Sequence, residues 1–400
     1  MFPPFFTETM KARERMKKCK WVKIGCLVLL SAVFIGFVIY FNTTLHFPKP
    51  GDAEIGITYA KARVVSIDQE DIGPDPDFNY IRIGKQWLTL EILSGDQKGH
   101  TTTAINYIER VNNRPAVVGT NMIISSYDGF ITTMIVNYNR EASIYMIAAL
   151  FFAAVLLIGR KKGLKSIAGL LFTLMGVFFL FIPMILRGVE PIIAAIIVVI
   201  LSAVVSLTVL NGLCKKTLIA AVSCIICTLL AGGIGYLTGQ ISHISTLNTG
   251  EAELLLFISN DTALEIKNLL FAGILIAALG AVMDTSMSLA SSLVEMKEIN
   301  PSLTRSQLFR SGMNIGKDVM GTMTNTLILA FTGSSINTLL VYFMYGLPYI
   351  GFINLDLIVI EIVKGLSGSL AVVLSIPITT LLGSRILTAD RKSGFIKIFK

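Results

Sequence analysis

Acidic and hydroxyl side chains repeat at helical spacing within the apolar stretch Gly280–Met296. Asp284, Ser288, Ser291 and Glu295 follow one another at intervals of four, three and four residues, which places them on one stripe of a helix. Asp284 stands about 11 residues from the charged end of the stretch, which is roughly 16 Å and close to the middle of a bilayer. A carboxylate at that depth is costly, and such groups tend to face a bundle interior or a water-filled path.

The next apolar stretch, Gly312–Gly333, repeats the same geometry. Asn314, Asp318, Gly321 and Asn325 again follow intervals of four, three and four residues. Because a short connection joins the two stretches, we expect them to form neighbouring antiparallel helices whose polar stripes meet. Asparagine, aspartate and glycine on one stripe are typical either of a polar path or of close helix packing.

A third apolar stretch adds Glu361 and Lys364, which are three residues apart and able to pair on a helix. Together these side chains predict a path for a proton, an ion or a small solute. The predicted path residues are Asp284, Ser288, Asn314, Asp318, Asn325, Glu361 and Lys364. The alternative for Asp284 is a structural carboxylate that pairs with Lys364 or is held protonated.

The composition excludes a soluble protein of several domains. The chain of 400 residues is 53% hydrophobic and 15% charged, with a mean hydropathy of +0.70, whereas a soluble domain is typically about 25% charged. The net charge of +8 is spread over short clusters beside apolar runs, as expected for topology determinants and not for nucleic-acid binding. The sequence therefore predicts a polytopic α-helical membrane protein.

About eight transmembrane helices are predicted, with both termini in the cytoplasm. An uncleaved anchor at residues 22–41 follows a basic segment at residues 1–21, and seven further apolar runs fill residues 142–387. Basic clusters alternate with the runs as the positive-inside rule requires. The basic tail at residues 388–400 is expected to lie against anionic lipid. Gly333–Ser335 predicts a break in the seventh span.

Residues 42–141 form a long polar stretch that we expect to lie outside the cytoplasm. It contains five or six short runs rich in β-branched residues, separated by turn signals such as Asp128-Gly129. This pattern predicts a small β-rich domain, an OB-like barrel.

Two features of this domain admit more than one interpretation. Tyr80, Trp87 and Tyr107 could line a binding surface of such a barrel, but the lack of a basic stripe favours core packing for them. The acidic residues between Asp68 and Asp77 predict a solvated loop, with weak calcium binding as the alternative.

No signature of an enzyme occurs in the sequence. It contains no P-loop, no G-x-S-x-G, no H-E-x-x-H and no pair of C-x-x-C motifs with zinc spacing. We therefore expect no catalysis, no cofactor, no metal ion and no nucleic-acid partner. The expected partners are the lipid bilayer, an unidentified small solute or ion, and either a second copy in a homodimer or another membrane protein.

Six segments carry a resemblance to a known family. They read LTLEILSGDQKG at Leu88–Gly99, GRKKGLKS at Gly159–Ser166, AALGAVMD at Ala277–Asp284, MSLASS at Met287–Ser292, GMNIGKDVMGTMTNTLILAF at Gly312–Phe331 and SIPITTLL at Ser375–Leu382. On these segments, within residues 57–387, the chain resembles the YibE/F family of bacterial multi-pass membrane proteins. The family is sometimes described as transporters or efflux proteins, and the resemblance assigns no catalytic residue.

Two functions fit these observations. The first is a secondary transporter, permease or efflux protein of the bacterial plasma membrane, with its polar site between the sixth, seventh and eighth spans. The second is an accessory or scaffold protein that does not transport and whose outer domain binds an envelope partner. Loss of flux on neutralising Asp284 favours the first, and co-purification of a specific partner chain favours the second.

Overall fold

The computed structural model describes residues 34–43 and 57–389. The predicted basic segment at residues 1–21, most of the anchor at residues 22–41 and the tail beyond residue 389 lie outside the described residues. The chain divides into two compact units, one spanning His46–Leu157 and the other combining Met1–Leu45 with Ile158–Lys400. The first unit contains the β-strands. The second, called the membrane unit below, contains most of the helices.

Five strands form a closed barrel in the order β1-β2-β3-β5-β4. They are β1 (Thr58–Pro74), β2 (Arg82–Ile92), β3 (Thr101–Ile108), β4 (Asn121–Ser126) and β5 (Thr133–Tyr138). Neighbouring strands are antiparallel except β3 and β5, which pair in parallel over two residues. This confirms the predicted small β-barrel domain.

Alternation of buried and exposed side chains explains the barrel. In β3 the even-numbered residues from Thr102 to Ile108 are buried and the odd-numbered ones are exposed, as expected for a strand with one face on a core. Leu88, Leu90 and Met122 are central to that core. Register shifts in β1 bend this 17-residue strand so that it can pair with both β2 and β4.

The acidic segment of the barrel is not a solvated loop, and that prediction is wrong. Strand β1 continues to Pro74 because its acidic part pairs with β2, where Asp71 lies opposite Lys85 and opposite charges across strands are favourable. Asp75, just beyond the strand, is fully buried at 0% exposure. Its carboxylate Oδ2 lies 2.5 Å from Nε of Arg110.

Eleven helices are found in the described residues. They are α1 (Phe34–Thr43), α2 (Glu141–Gly176), α3 (Ile182–Leu186), α4 (Pro191–Asn211), α5 (Lys215–Ile241), α6 (Ala252–Asp261), α7 (Leu269–Ile299), α8 (Arg305–Ser334), α9 (Ile336–Met344), α10 (Tyr349–Ile353) and α11 (Asp356–Thr388). A π-helical stretch, Val177–Phe181, joins α2 to α3. Pro377 lies inside α11, which continues past it to Thr388.

Within the described residues, five helical segments are long and apolar enough to cross a membrane, or six if α8 and α9 form one broken span. Axes of α8 and α9 differ by 61°, and α8 ends at Ser334, which confirms the predicted break. The number differs from the predicted eight for two reasons. Most of the anchor lies outside the described residues, and two predicted spans lie within the single segment Glu141–Leu186 of 46 residues, which leaves helical geometry at Arg160.

Small residues bring the helices of the second unit into close contact. A Cβ atom at Gly316 of α8 would lie 2.1 Å from Cγ2 of Ile376 in α11, and one at Gly239 of α5 would lie 2.3 Å from the ring of Phe271 in α7. Only glycine permits these distances, which is the usual way that membrane helices pack closely.

Candidate functional site

Helix α7 has one packed face and one open face. Its packed face includes Leu279, Val282 and Leu289, which are almost fully buried against neighbouring helices. On the opposite face Asp284 and Ser288 are exposed, one turn apart, so the predicted stripe exists. In the isolated chain this stripe is open to the surroundings.

Asp284 has no partner in the part of the chain that the structure describes. No hydrogen bond or ion pair to its carboxylate is found there, and Lys364 Nζ instead lies 2.9 Å from Oε1 of Glu361 on the same helix. The structural alternative in which Lys364 pairs with Asp284 is therefore wrong. The Glu361–Lys364 pair forms within α11, as the three-residue spacing allows.

Helix α8 begins at a capping box and packs on α11 through a narrow face. Thr304 Oγ1 accepts a hydrogen bond from the backbone N–H of Gln307, while the Gln307 side chain accepts one from the backbone N–H of Thr304. Gly312 and Gly316 then lie buried beside Thr380 and Ile376. These contacts fix which side of α8 faces the bundle.

The other side of α8 carries the predicted polar stripe. Asn314, Asp318 and Asn325 are all exposed there. Helices α7 and α8 approach each other closely near Leu293, from which a Cβ at Gly312 would be only 2.8 Å away. Among residues 269–334 no hydrogen bond or ion pair links the polar stripe of α7 to that of α8, so the structure brings the two helices together but not their stripes.

A pocket of about 270 Å³ lies at the break between α8 and α9. It is lined mainly by apolar side chains of α8, α9 and α11, and Glu361 is the one acid among its lining residues. Ser335, at the break itself, also lines the pocket and is 9% exposed. Of the residues that line this pocket, the predicted path includes only Glu361. The predicted helix break at Gly333–Ser335 is the sequence feature that indicates the pocket's position.

The predicted core packing of Tyr80, Trp87 and Tyr107 in the barrel can be compared with their exposure. Tyr80 is 84% exposed and Tyr107 is 55% exposed, so the core interpretation is wrong for both, while Trp87 is partly exposed. Tyr80 lies in the turn between β1 and β2. For Tyr107 the reason is the alternation of β3, in which Asn106 points inward and donates a hydrogen bond to Oε1 of Gln86 at 3.0 Å. Tyr107, its neighbour in the strand, must then point outward.

The described residues contain no group of three or more His, Cys, Asp or Glu side chains placed to hold a metal ion. The α7 stripe offers the carboxylate of Asp284 beside the hydroxyl group of Ser288. Such a group can accept a proton or attract a cation.

The chain matches one family of known proteins. The family model for YibE/F-like proteins covers residues 147–389, which is more than half of the 400 residues and includes every candidate path residue. The five strands of the barrel lie before that region. No curated protein and no solved structure matches the chain. From α2 to the end of α11, the chain belongs to the family of YibE/F-like proteins.

Proposed function

We propose that this protein is a secondary transporter, permease or efflux protein of the bacterial plasma membrane, whose solute or ion moves past the polar side chains of α7, α8 and α11. The observation that carries the proposal is Asp284, a carboxylate inside an apolar helix that makes no hydrogen bond or ion pair among the described residues. An ionisable side chain in a membrane helix costs several kcal/mol and is by default functional.

A second observation supports the same proposal. Transporters commonly place their binding sites at discontinuous membrane helices, where unwound backbone and helix ends meet the solute. The bent pair α8 and α9 is such a discontinuity, and Glu361 lines the pocket beside it. In this proposal Asp284, Asp318 and Glu361 offer a solute or ion successive acidic groups at different depths.

The proposed topology has eight spans, with the barrel outside the cytoplasm and both termini inside. Its support is the segment Glu141–Leu186, whose 46 residues would extend about 69 Å as a helix, roughly twice the thickness of a bilayer core. The backbone of Arg160 leaves helical geometry, with φ 45° and ψ −123°, at the start of the basic cluster Arg160–Lys165. In our proposal the chain turns there, at the cytoplasmic surface, and crosses again.

Reconstitution tests the transport proposal. Liposomes containing the purified protein and a pH-sensitive dye receive an imposed membrane potential, and proton flux is measured against protein-free vesicles. We expect flux from the wild type and none above background from Asp284→Asn. The control Glu298→Gln, an acid-to-amide change at the end of the same helix, should retain flux. Equal flux from all proteins and from empty vesicles would remove the proposal for protons.

An accessory role is the second candidate, because the barrel is a compact unit that lies outside the region shared with the family. Deleting residues 57–138 should then abolish the cellular function, while Asp284→Asn should change only stability. Mass spectrometry of chains that co-purify with the wild type, but not with the deletion, would identify the partner. Retained function after the deletion argues against this role.

A further inference from the structure

The outer face of the barrel carries a continuous row of side chains across four strands. Gln69 of β1 lies opposite Trp87 of β2, Trp87 opposite Ile105 of β3, and Ile105 opposite Met134 of β5. Directly opposite residues in paired strands project on the same side of the sheet. This row forms the floor of a groove of about 930 Å³.

The groove combines exposed apolar surface with polar groups. Tyr107 and Met134 are more than half exposed, and Ile105 is 37% exposed, although each lies on a regular strand of a closed barrel. Asp68, Glu109 and Arg114 also line the groove. Apolar and aromatic walls with a few placed polar groups are typical of small-molecule and oligosaccharide sites.

Asp68 is an ionised hydrogen-bond acceptor in the groove. Asp68 accepts hydrogen bonds from Ser66 Oγ and Thr89 Oγ1, both at 2.7 Å. The hydrogen bond from Ser66, followed by that from Thr89, holds the pKa of Asp68 below its usual range. An ionised carboxylate has room for about four hydrogen bonds, so two acceptor positions are left for a ligand.

Charge and strand geometry exclude two other kinds of ligand. Two acids and one arginine line the groove, so it lacks the excess of positive charge that binds a nucleic-acid backbone. An extended peptide could add to the edge of β5, but Arg114 donates a hydrogen bond to the carbonyl of Val136 there and occupies it. Neither a polyanion nor an added strand fits this surface.

We propose that the groove formed by Trp87, Ile105, Tyr107 and Met134 binds a neutral glycan chain. The apolar faces of the sugar rings would lie on the aromatic and aliphatic side chains, while Asp68, Glu109 and Arg114 hydrogen-bond the hydroxyl groups at the edges. Lys85 Nζ lies 5.3 Å from the ring centroid of Tyr107 and helps to fix that ring. The proposal is independent of transport through the helices.

The chain contains its own reporter for this site. Trp87 lines the groove, and Trp21 is the one other tryptophan in the sequence. A Trp21→Phe variant of the full chain in lipid nanodiscs therefore reports the groove through the fluorescence of Trp87. Nanodiscs avoid glycoside detergents, which would compete for the site. The probes are neutral hexasaccharides (chitohexaose, cellohexaose and maltohexaose), with a heparin hexasaccharide and an unstructured peptide for comparison.

We expect a saturable fluorescence change with at least one neutral hexasaccharide. Tyr107→Ala should weaken binding at least about tenfold, which corresponds to 1.4 kcal/mol. Tyr107→Phe, which keeps the ring, should stay within about threefold of the parent. Tyr80→Ala is the matched control, because Tyr80 is exposed on the same barrel but does not line the groove. A thermal melt of each variant shows whether the barrel is intact.

Three results would overturn the proposal. The first is no saturable change with any neutral hexasaccharide while the wild-type barrel is folded. The second is binding of the heparin fragment or the peptide as strong as that of the sugars. The third is an equal loss in Tyr80→Ala and Tyr107→Ala, which would mean that the groove is not the site.

Discussion

Two aspartates in different units of the chain have opposite surroundings. Asp75 of the barrel is fully buried, and besides Arg110 it accepts hydrogen bonds from the backbone N–H groups of Asp77 and Phe78 at 2.8 and 3.0 Å. Burial alone would raise the pKa of Asp75, but these hydrogen bonds and the Arg110 charge outweigh it and hold the pKa below its usual range. For Asp284 in α7, no hydrogen bond or ion pair is found in the described residues.

The comparison therefore distinguishes Asp75, whose carboxylate is bound by neighbouring groups of the fold, from Asp284, whose carboxylate is not bound within the described residues. The surroundings of Asp75 account for its presence, since removing it would leave Nε of Arg110 and two backbone N–H groups without their acceptor. Nothing comparable accounts for Asp284. Residues that lower the stability of the fold and make no stabilising contact are typical of functional sites.

The largest expected effect comes from replacing each acid by leucine. Asp284→Leu should abolish flux and leave the membrane unit at least as stable as the wild type, because leucine is favoured over aspartate at the centre of a membrane helix by up to about 3 kcal/mol. Flux in proteoliposomes and thermal unfolding in nanodiscs measure the two effects. Asp75→Leu is the matched variant, and it should prevent the barrel from folding. Loss of stability in Asp284→Leu would mean that Asp284 has a structural partner.

A milder change at the barrel should have a smaller effect. Asp75→Asn keeps the shape of the side chain but removes the charge that pairs with Arg110. We expect the Tm of the barrel, followed through Trp87 in a Trp21→Phe background, to fall by several degrees. The control Asp96→Asn changes an exposed acid in a turn and should leave the Tm unchanged. An unchanged Tm in Asp75→Asn would contradict the role given to the ion pair.

Two glycines of α8 sharpen the comparison within the membrane unit. Gly316→Ala should destabilise the packing of α8 on α11 by about 1–3 kcal/mol, because its Cβ would overlap Cγ2 of Ile376. Gly321 faces open space, so Gly321→Ala should stabilise the helix by about 1 kcal/mol. Thermal unfolding in nanodiscs compares the two. A loss of stability in Gly321→Ala would show that another chain or helix covers this face.

The smallest expected effect is the response of the barrel to acid. Asp68, Asp75 and Asp128 all have a folded pKa below the ordinary value, in Asp128 chiefly because the backbone N–H of Thr132 donates to it. A lowered folded pKa adds stability above the unfolded value of about 3.9, and that stability is lost as the pH falls through the folded pKa. The barrel Tm should therefore be level from about pH 7 to 5 and fall below about pH 4. The fall in Tm with acid should be smaller in Asp75→Asn. A fall in Tm that is already complete at about pH 5 would contradict the lowered pKa of these three aspartates.

Local patterns in the sequence predicted the parts of the structure that depend on near neighbours. The stripe of Asp284 and Ser288 follows from helical spacing, and the break after Ser334 follows from a glycine and two serines within one apolar run. The barrel follows from alternating runs separated by turns. Each of these features is decided within a few residues.

Features that depend on distant contacts could not be predicted. Asp75 is buried because Arg110, 35 residues away, is positioned to pair with it. Tyr107 points outward because the inward position next to it belongs to Asn106, which bonds Gln86 on another strand. The spacing of residues in the sequence also does not show which side of α8 packs on α11, because glycine occurs on both sides, with Gly316 against α11 and Gly321 facing open space.

Access of water to the α7 stripe is the most direct test of the transport account. Ser288→Cys is made in a chain whose native cysteines are replaced by alanine, and intact proteoliposomes are treated with a charged, membrane-impermeant maleimide. The account predicts that this variant is labelled, whereas Leu289→Cys, at a position that is 1% exposed, is not. Labelling of Ser288→Cys by a lipid-soluble maleimide alone would show that the stripe faces lipid and would contradict the account.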